Sequence, residues 1–506
     1  MSARMASVGG LTFVSRIAGF VRDIMLAAIL GAGPIADAFF VALRLPNHFR
    51  AIFAEGAFNA AFVPTYARAR QKEGSATAAI FADRVFTLLF SVQLVLLGAA
   101  LLFTPEIIRL LAPGLVNDPQ RFGPAVELTR ITFPYLLLMT LVTLFSGMLN
   151  AIDRFAAAAA APILLNLTMM LALALAAFFP TAGHAAAWGV LAAGVLELLL
   201  VGGDAARAGI MTRFRMPRWD ADVKRFFKAL GPATVGSAGV QLALFADTII
   251  ATFLPVGALS ALYYADRLNQ LPIGVIGIAA GTVLLPEMAR LIASGDERAA
   301  ARAQSHAIEI TLVLALPCVA AFVVVPEAIM LALFRRGAFT AADAAAAGAT
   351  LRAYALGLIP FVLIRSLVAT FFARGDTATP VKASLAAAGV NVACKIVLMN
   401  PLGQVGLALA TSIGAWVNIG LVAWMARRAG LLSFDLAFGR RVVLLFGAGT
   451  LLAIALLVTD RWLLMSGPPE GQLSALINLC VLMLVGLIVY VGAILLFLGN
   501  RWRHWR

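Results

Sequence analysis

The chain has 506 residues, 62% of them hydrophobic and only 13% charged, with a formal net charge of +14. So few charges, with apolar runs of bilayer length from end to end, exclude a soluble globular protein and define an all-α polytopic membrane protein. The positive excess does not indicate nucleic acid, because the basic residues fall where a positive-inside topology puts them. Cys318, Cys394 and Cys480 stand in or near apolar spans at no metal-ligand spacing.

In chain order, fourteen transmembrane helices are expected, near 8–31, 35–66, 79–104, 124–150, 157–180, 184–206, 230–254, 259–288, 304–325, 344–373, 379–400, 403–426, 439–459 and 474–498. The first is interrupted by Arg16, Arg22 and Asp23 and has no small-residue cleavage site after a clean apolar core, so it reads as a span rather than a removable signal. On a helical wheel Ser15, Arg16, Gly19, Arg22 and Asp23 share an arc of about 120°. The second span contains DAFFVALRLPNHFRAIFAEG (37–56) and places Asp37, Arg44, Asn47 and His48 on one side, with a kink expected at Pro46. Arg50 and Glu55 follow. Each charge at mid-bilayer costs roughly 2.5–3.5 kcal/mol on the mildest scale. Broken helices and charges of this kind are tolerated where they line a water-filled cavity.

Lys and Arg collect in alternate loops. Arg68, Arg70, Lys72, Arg84, Arg154, Arg290, Arg374, Arg427 and Arg440 lie in one set; the other holds only Arg109, Arg121, Arg335, Arg336 and Arg461. This asymmetry puts both termini in the cytoplasm. Between the sixth and seventh spans, MTRFRMPRWDADVKRFFKAL (211–230) sets Phe214, Trp219, Phe226 and Phe227 beside Arg and Lys, which suits either an amphipathic linker helix on an anionic leaflet or a solvated linker between the lobes.

An internal repeat organises these spans. FFVALRLPNHFR…FVPTYARAR (39–70) resembles LYYADRLNQLPIG…LLPEMARL (262–291), pairing Arg44 with Arg267 at an offset of 223 (267 − 44). Pro134 pairs with Pro360 and Asn166 with Asn391, at 226 and 225. Six spans per copy make the repeat parallel, related by an axis along the membrane normal. The expected divisions are an N-lobe at 1–207, a cytoplasmic linker at 208–229, a C-lobe at 230–429, and two further helices with a tail at 430–506. Two six-helix lobes around a central cavity suit rocking between inward- and outward-open states.

Inside the spans Arg16, Arg22, Arg44, Arg50 and Arg267 outnumber Asp23, Asp37, Glu55 and Asp266. A purely structural arrangement would pair these groups with one another, Arg22 with Asp37 for example. An unpaired arginine excess instead implies an anionic substrate, and guanidinium suits forked recognition of phosphate oxygens.

SRIAGFVRD (15–23), DAFFVALRLPNHFRAIFAEGAFNAAFVP (37–64), YYADRLNQLP (263–272) and ARGDTATPVK (373–382) resemble the MurJ/MviN family of lipid II flippases, in the multidrug/oligosaccharidyl-lipid/polysaccharide exporter superfamily. The resemblance runs over essentially the whole chain. It implies a non-enzymatic transporter in the bacterial inner membrane that moves the undecaprenyl-diphosphate-linked peptidoglycan precursor, lipid II, from the cytoplasmic to the periplasmic leaflet. The family's cavity arginines map to Arg16, Arg22, Arg50 and Arg267, its second-span acid and base to Asp37 and Arg44, and its EGAF glutamate to Glu55. Asp23 and Asn47 belong to the same expected substrate site. Some relatives carry a glutamate where this chain has Gln270, which puts a proton-linked role for that carboxylate in doubt here.

No Walker-type G-x-x-x-x-G-K-[ST] run is present, so direct ATP drive is not expected, and no cofactor is implied. Sodium-linked relatives build a cation site in the second lobe; the corresponding oxygens here are Asp247, Asn391 and Thr411. Lys395 lies one turn after Asn391, so there are two readings: an Asp247–Lys395 ion pair in place of bound sodium, with membrane potential or a proton gradient driving return, or a Lys395 that simply faces the cytoplasmic mouth or the cleft. Expected partners are lipid II and membrane lipids, around a monomer. The competing readings are a flippase for another polyprenyl-diphosphate saccharide, a drug exporter (which the arginines disfavour), and a non-transporting scaffold.

Overall fold

Prolines and glycines punctuate the apolar runs, and Gly31, Gly74, Gly295 and Gly375 turn the chain between helices with positive φ. The computed structural model describes residues 2–50, 56–216, 218–432, 434–465, 467 and 471–499, and every regular element among them is helical. The helices are α1 (Ser2–Leu30), α2 (Pro34–Arg50), α3 (Gly56–Lys72), α4 (Ser75–Leu102), α5 (Thr104–Leu111), α6 (Pro119–Thr132), α7 (Pro134–Asn150), α8 (Ala156–Ala174), α9 (Ala182–Arg207) and α10 (Ala221–Thr252). There follow α11 (Ala258–Pro272), α12 (Ile278–Ala293), α13 (Glu297–Val324), α14 (Pro326–Phe334), α15 (Ala341–Ala355), α16 (Leu358–Phe372), α17 (Ala378–Arg428), α18 (Leu436–Met465) and α19 (Gln472–Leu498). Nine helical stretches among the described residues are long and apolar enough to cross a membrane. One of them, α17, is two helices joined at Gly403, whose φ of 55° and ψ of −133° turn the chain between the eleventh and twelfth expected spans.

The chain divides into two compact units, Met1–Gly257 and Ala258–Arg506. Their helix order repeats. Ser75, Thr104, Pro119 and Ala156 open helices in the first unit; Glu297, Pro326, Ala341 and Ala378 open their counterparts, each 222 positions later, as from 75 to 297. Both copies therefore carry a long helix, a short one, a helix pair broken before or near a proline, and then the next span.

In the first unit, α10 packs on α3, although the repeat numbering makes it the opening span of the second lobe. Phe226 near its start is buried edge-on against Phe62, at 6.3 Å between ring centroids. Phe62 in turn stacks on Phe58, Tyr66 and Phe81. This aromatic cluster ties α3, α4 and α10 together. No separate surface helix occupies 211–230: residues 211–216 and 218–220 are non-helical, and Asp220 caps α10 by accepting from the Val223 amide at 2.9 Å. The preceding segment is pinned to α4. The Arg213 amide donates to Asp83 at 2.8 Å, the Arg215 amide donates to Thr87 at 2.9 Å, and the Phe214 ring packs on Phe86 and Phe90. Arg84 pairs with Asp220.

A proline inside a helix leaves the carbonyl four residues earlier without its N–H partner, and an apolar medium cannot supply one. In both units a side chain from another helix does so. Pro46 frees the Ala42 carbonyl, which accepts from the Thr132 hydroxyl of α6 at 2.9 Å. Pro317 frees Val313, which accepts from the Tyr490 hydroxyl of α19 at 2.8 Å. At the turn between α15 and α16, just before Pro360, the Leu356 carbonyl likewise accepts from the Trp416 indole N–H at 2.8 Å. In the second unit α18 is further fixed to α13 by Arg441 and Glu309, whose Nε and Oε1 lie 2.7 Å apart, with Glu309 buried.

Candidate functional site

The expected substrate residues among those described fall on α1 and α2 of the first unit and on α11 of the second. On α1, Arg22 and Asp23 are both buried. Arg22 donates to Asp23 Oδ1 from Nε (3.1 Å) and Nη2 (2.7 Å), and from Nη1 to Asn166 Oδ1 on α8 at 2.9 Å. The Asn166 amide nitrogen donates back to the Ser15 carbonyl at 3.0 Å. Gly19 sits against Asn166, and a Cβ there would lie 3.6 Å from its Nδ2. The polar stripe of α1 is thus partly a docking seam onto α8. Arg16, one and a half turns earlier, is exposed, with no hydrogen bond or ion pair among the described residues.

Asp37 is fully buried at the start of α2. Its Oδ2 accepts from the Gly257 amide at 2.8 Å and lies 3.8 Å from Arg121 Nη1. The same Arg121 Nη1 donates to the Leu254 carbonyl, and its Nε to Asp118. Asp37 therefore ties the end of α10 to α2 and α6. The pairing of Arg22 offered as an example with Asp37 is made with Asp23 instead, its neighbour on the same helix. Further along α2, Arg44 and Asn47 are partly exposed, and His48 hydrogen-bonds Thr248 of α10 at 3.1 Å, with its ring 4.7 Å from Phe245. Arg50, at the end of α2, acts electrostatically on Glu197 of α9. Glu55 lies outside the described residues.

In the second unit, Arg267 lies over the ring of Tyr263, 4.8 Å from guanidinium carbon to centroid. Gln270, the departure from the glutamate of some relatives, donates to Asp266 one turn earlier. The helix then passes through a π-helical turn over Ile273–Gly277 before α12; such turns often mark functional sites. Of the coupling candidates, Asn391, Lys395 and Thr411 are on α17 and Asp247 is on α10 of the first unit. Lys395 is buried. The Thr411 hydroxyl donates to the Leu407 carbonyl at 3.0 Å, and Gly414 admits Asn391 so closely that a Cβ would meet its Cβ at 2.9 Å. Among the described residues no group of three or more His, Cys, Asp or Glu could hold a metal ion. Within the ARGDTATPVK run, Asp376 Oδ1 accepts the Ala378 and Thr379 amides, each at 3.0 Å. Hydrogen bonds from Thr379 hold its carboxyl below the usual carboxylate range.

Three residues central to this geometry were not among the expected site residues. Asn166 was legible only as a repeat anchor, and Arg121 only as a loop charge. Glu197 was legible as the one acid in the apolar run GVLELLLVGG (194–203), a charge position that sequence alone could have flagged.

Residues 26–476 match the profile of a family described as "Lipid II flippase MurJ". A protein of Rhizobium meliloti named "Probable lipid II flippase MurJ" is 41% identical over 493 residues, 96% of this chain and 92% of that protein. One of Burkholderia cenocepacia named "Lipid II flippase MurJ" is 32% identical over 519 residues, 99% of this chain and 98% of that protein. Among solved structures, "Lipid II flippase MurJ, inward closed conformation" aligns with a TM-score of 0.80 at 23% identity over 98% of this chain and 99% of that one. An inward-facing MATE family multidrug transporter of the MOP superfamily aligns with a TM-score of 0.68 at 16% identity over 82% of this chain and 95% of that one, a likeness of fold.

Proposed function

The chain belongs to the lipid II flippase MurJ family, and on that premise we propose that it carries lipid II, a polyprenyl-diphosphate-linked peptidoglycan precursor, from the cytoplasmic to the periplasmic leaflet by alternating access. The observation that carries this reading is the family match over nearly the whole chain. The arginines on α1, α2 and α11 are in keeping with it. It is a transporter, not an enzyme, and a multi-pass membrane protein with both termini on the cytoplasmic side.

In this reading Arg16, Arg44, Arg50 and Arg267 present guanidinium groups to the diphosphate and sugars, while Arg22 holds α1 to α8 and lends its remaining charge. A fork of N–H donors matches the paired oxygens of a diphosphate better than ammonium does. The polyprenyl tail stays in lipid while the head group crosses. Asp23, paired with Arg22, neutralises part of the cationic charge between substrates, while Asp37 is held by Arg121 and the Gly257 amide. For return of the empty carrier, an Asp247–Lys395 ion pair replaces bound sodium, and membrane potential or the proton gradient supplies the drive. The working form is a monomer.

The test is complementation of cells depleted of their own lipid II flippase by wild type, Arg16→Ala, Arg50→Ala and Arg267→Ala at matched membrane levels. Rescue by wild type and not by the variants is expected. No rescue by well-expressed wild type would move the substrate to another polyprenyl-diphosphate saccharide, and rescue by every variant would return the arginines to a structural role. Flipping in sodium-free proteoliposomes should match flipping with sodium; dependence on sodium would sink the coupling scheme.

A further inference from the structure

Glu197 is 1% exposed, in a helix that crosses the membrane. At 1.5 Å per residue it lies about 15 Å along α9 from Arg207, close to mid-span. Its Oε2 makes no hydrogen bond among the described residues. A buried carboxylate oxygen left in this state costs free energy and calls for an explanation.

The surroundings of Glu197 are built rather than incidental. One turn before it, Gly194 has no side chain, and a Cβ there would lie 2.7 Å from Cδ2 of Tyr135 and 3.0 Å from Leu138. The glycine lets the buried Tyr135 ring of α7 lie against α9, with its hydroxyl beside Glu197. The cation acting on Glu197 is Arg50, from α2, which also packs on α9. α8, the other long neighbour, brings no ionisable side chain.

The internal repeat shows that the fold does not need an acid here. Asn166 and Asn391 set an offset of 225 (391 − 166), which carries Gly189 to Gly414; each glycine presses onto the preceding helix, Gly189 at Met169 and Ala172 of α8 and Gly414 at Asn391 in the first half of α17. Glu197 then corresponds to Val422, fully buried and apolar. The second unit packs the same position with a valine; the first keeps a carboxylate within electrostatic reach of an arginine of the proposed head-group site.

We infer that Glu197 is a release partner for Arg50: its carboxylate competes with the lipid diphosphate for the guanidinium, so that the empty site is partly self-neutralised and the head group can leave. This rests on the proposed function, in which Arg50 binds the diphosphate. Glu197 touches no substrate and acts through Arg50, so it is a positioning residue. A competitor of this kind weakens equilibrium binding while speeding the cycle, whereas a residue needed only for packing would weaken both or neither.

The experiment uses the purified full chain in lipid nanodiscs for binding and in proteoliposomes for flipping, with lipid II and undecaprenyl diphosphate as probes. The variants are Glu197→Gln, Glu197→Val, Arg50→Ala and the Arg50→Ala/Glu197→Gln pair. Both Glu197 variants should bind lipid II several-fold more tightly and flip it several-fold more slowly, an effect of the size expected for charges that interact through space. In the Arg50→Ala background Glu197→Gln should change binding by less than about twofold. Undecaprenyl diphosphate should show the same pattern, because the competition is for phosphate. Unchanged or weaker lipid II binding by a well-folded Glu197→Gln overturns the inference, as does an equal effect with and without Arg50. Failure of wild type to bind either probe overturns the functional reading together with it, so the two failures are told apart by the wild-type arm.

Discussion

Thr132→Val offers a direct probe of how α2 accommodates Pro46. The substitution exchanges a fully buried hydroxyl for a methyl of nearly the same size and leaves the Ala42 carbonyl, freed by Pro46, without its 2.9 Å donor. Side-chain hydrogen bonds inside membrane proteins average about 0.6 kcal/mol and reach about 1.7. An acceptor left with no partner adds part of a desolvation cost of about 1–3 kcal/mol. The expected loss is therefore about 1–2 kcal/mol, measured by unfolding in mixed micelles. The discriminating arm is Pro46→Ala, which restores the residue-46 amide so that the helix's own backbone can supply the missing donor. In that background Thr132→Val should cost less than about 0.5 kcal/mol. An equal cost in both backgrounds would refute the reasoning, because the hydroxyl would then matter for something other than the orphaned carbonyl.

The same logic makes Tyr490→Phe costly, by about 1 kcal/mol, in wild type and nearly neutral in Pro317→Ala, again read from unfolding in mixed micelles. Gly257 has a φ of +85°, and a Cβ there would lie 2.8 Å from the Ala32 carbonyl oxygen. Gly257→Ala should therefore destabilise the first unit by at least about 1–2 kcal/mol, visible as a lower melting temperature. Asp37→Asn keeps an oxygen that can accept from the Gly257 amide and should be better tolerated than Asp37→Ala, compared by melting temperature and complementation. Asp376 has a carboxyl held below its ordinary range by Thr379. Its contribution to the start of α17 should be fully present above the ordinary carboxylate pKa and fade as pH falls through the lower folded value. Amide exchange at Ala378 and Thr379 across an acid titration reads that change, and a midpoint at or above the ordinary value would contradict the assignment.

Much of the architecture was legible because membrane chains write it in composition. Apolar length marks the spans, and Arg44, Pro134 and Asn166 mark the repeat. The partners of the charges were far less legible. Arg22 and Asp37 looked equally able to pair, yet Arg22 is held by its own neighbour Asp23 and by Asn166, while Asp37 finds the Gly257 amide and Arg121. Backbone donors are identical in every residue, so no sequence pattern announces that Gly257 will fill this role. The 211–230 stretch has the composition of a surface helix, but the Asp220 cap starts the helix later and hydrogen bonds to Asp83 and Thr87 hold the preceding residues extended against α4. Glu197 was the reverse case: its letter stood out in an apolar run, and its meaning came only with Gly194, Tyr135 and Arg50 around it.

The Thr132–Ala42 contact joins residues 90 positions apart, and that separation has a meaning during synthesis. A ribosome adding roughly 5–20 residues per second takes on the order of 5–20 s to cover it. For that interval α2 is already in or near the translocation channel, with a carbonyl opened by Pro46, and the Arg121 and Thr132 that will close around it have not yet been made. The segment cannot settle in lipid alone and must wait in a wet, protected place. The nascent chain is thus expected to linger beside the insertion machinery until α6 emerges, and delay there is the cost of making a proline-interrupted, charged helix ahead of the partners that satisfy it.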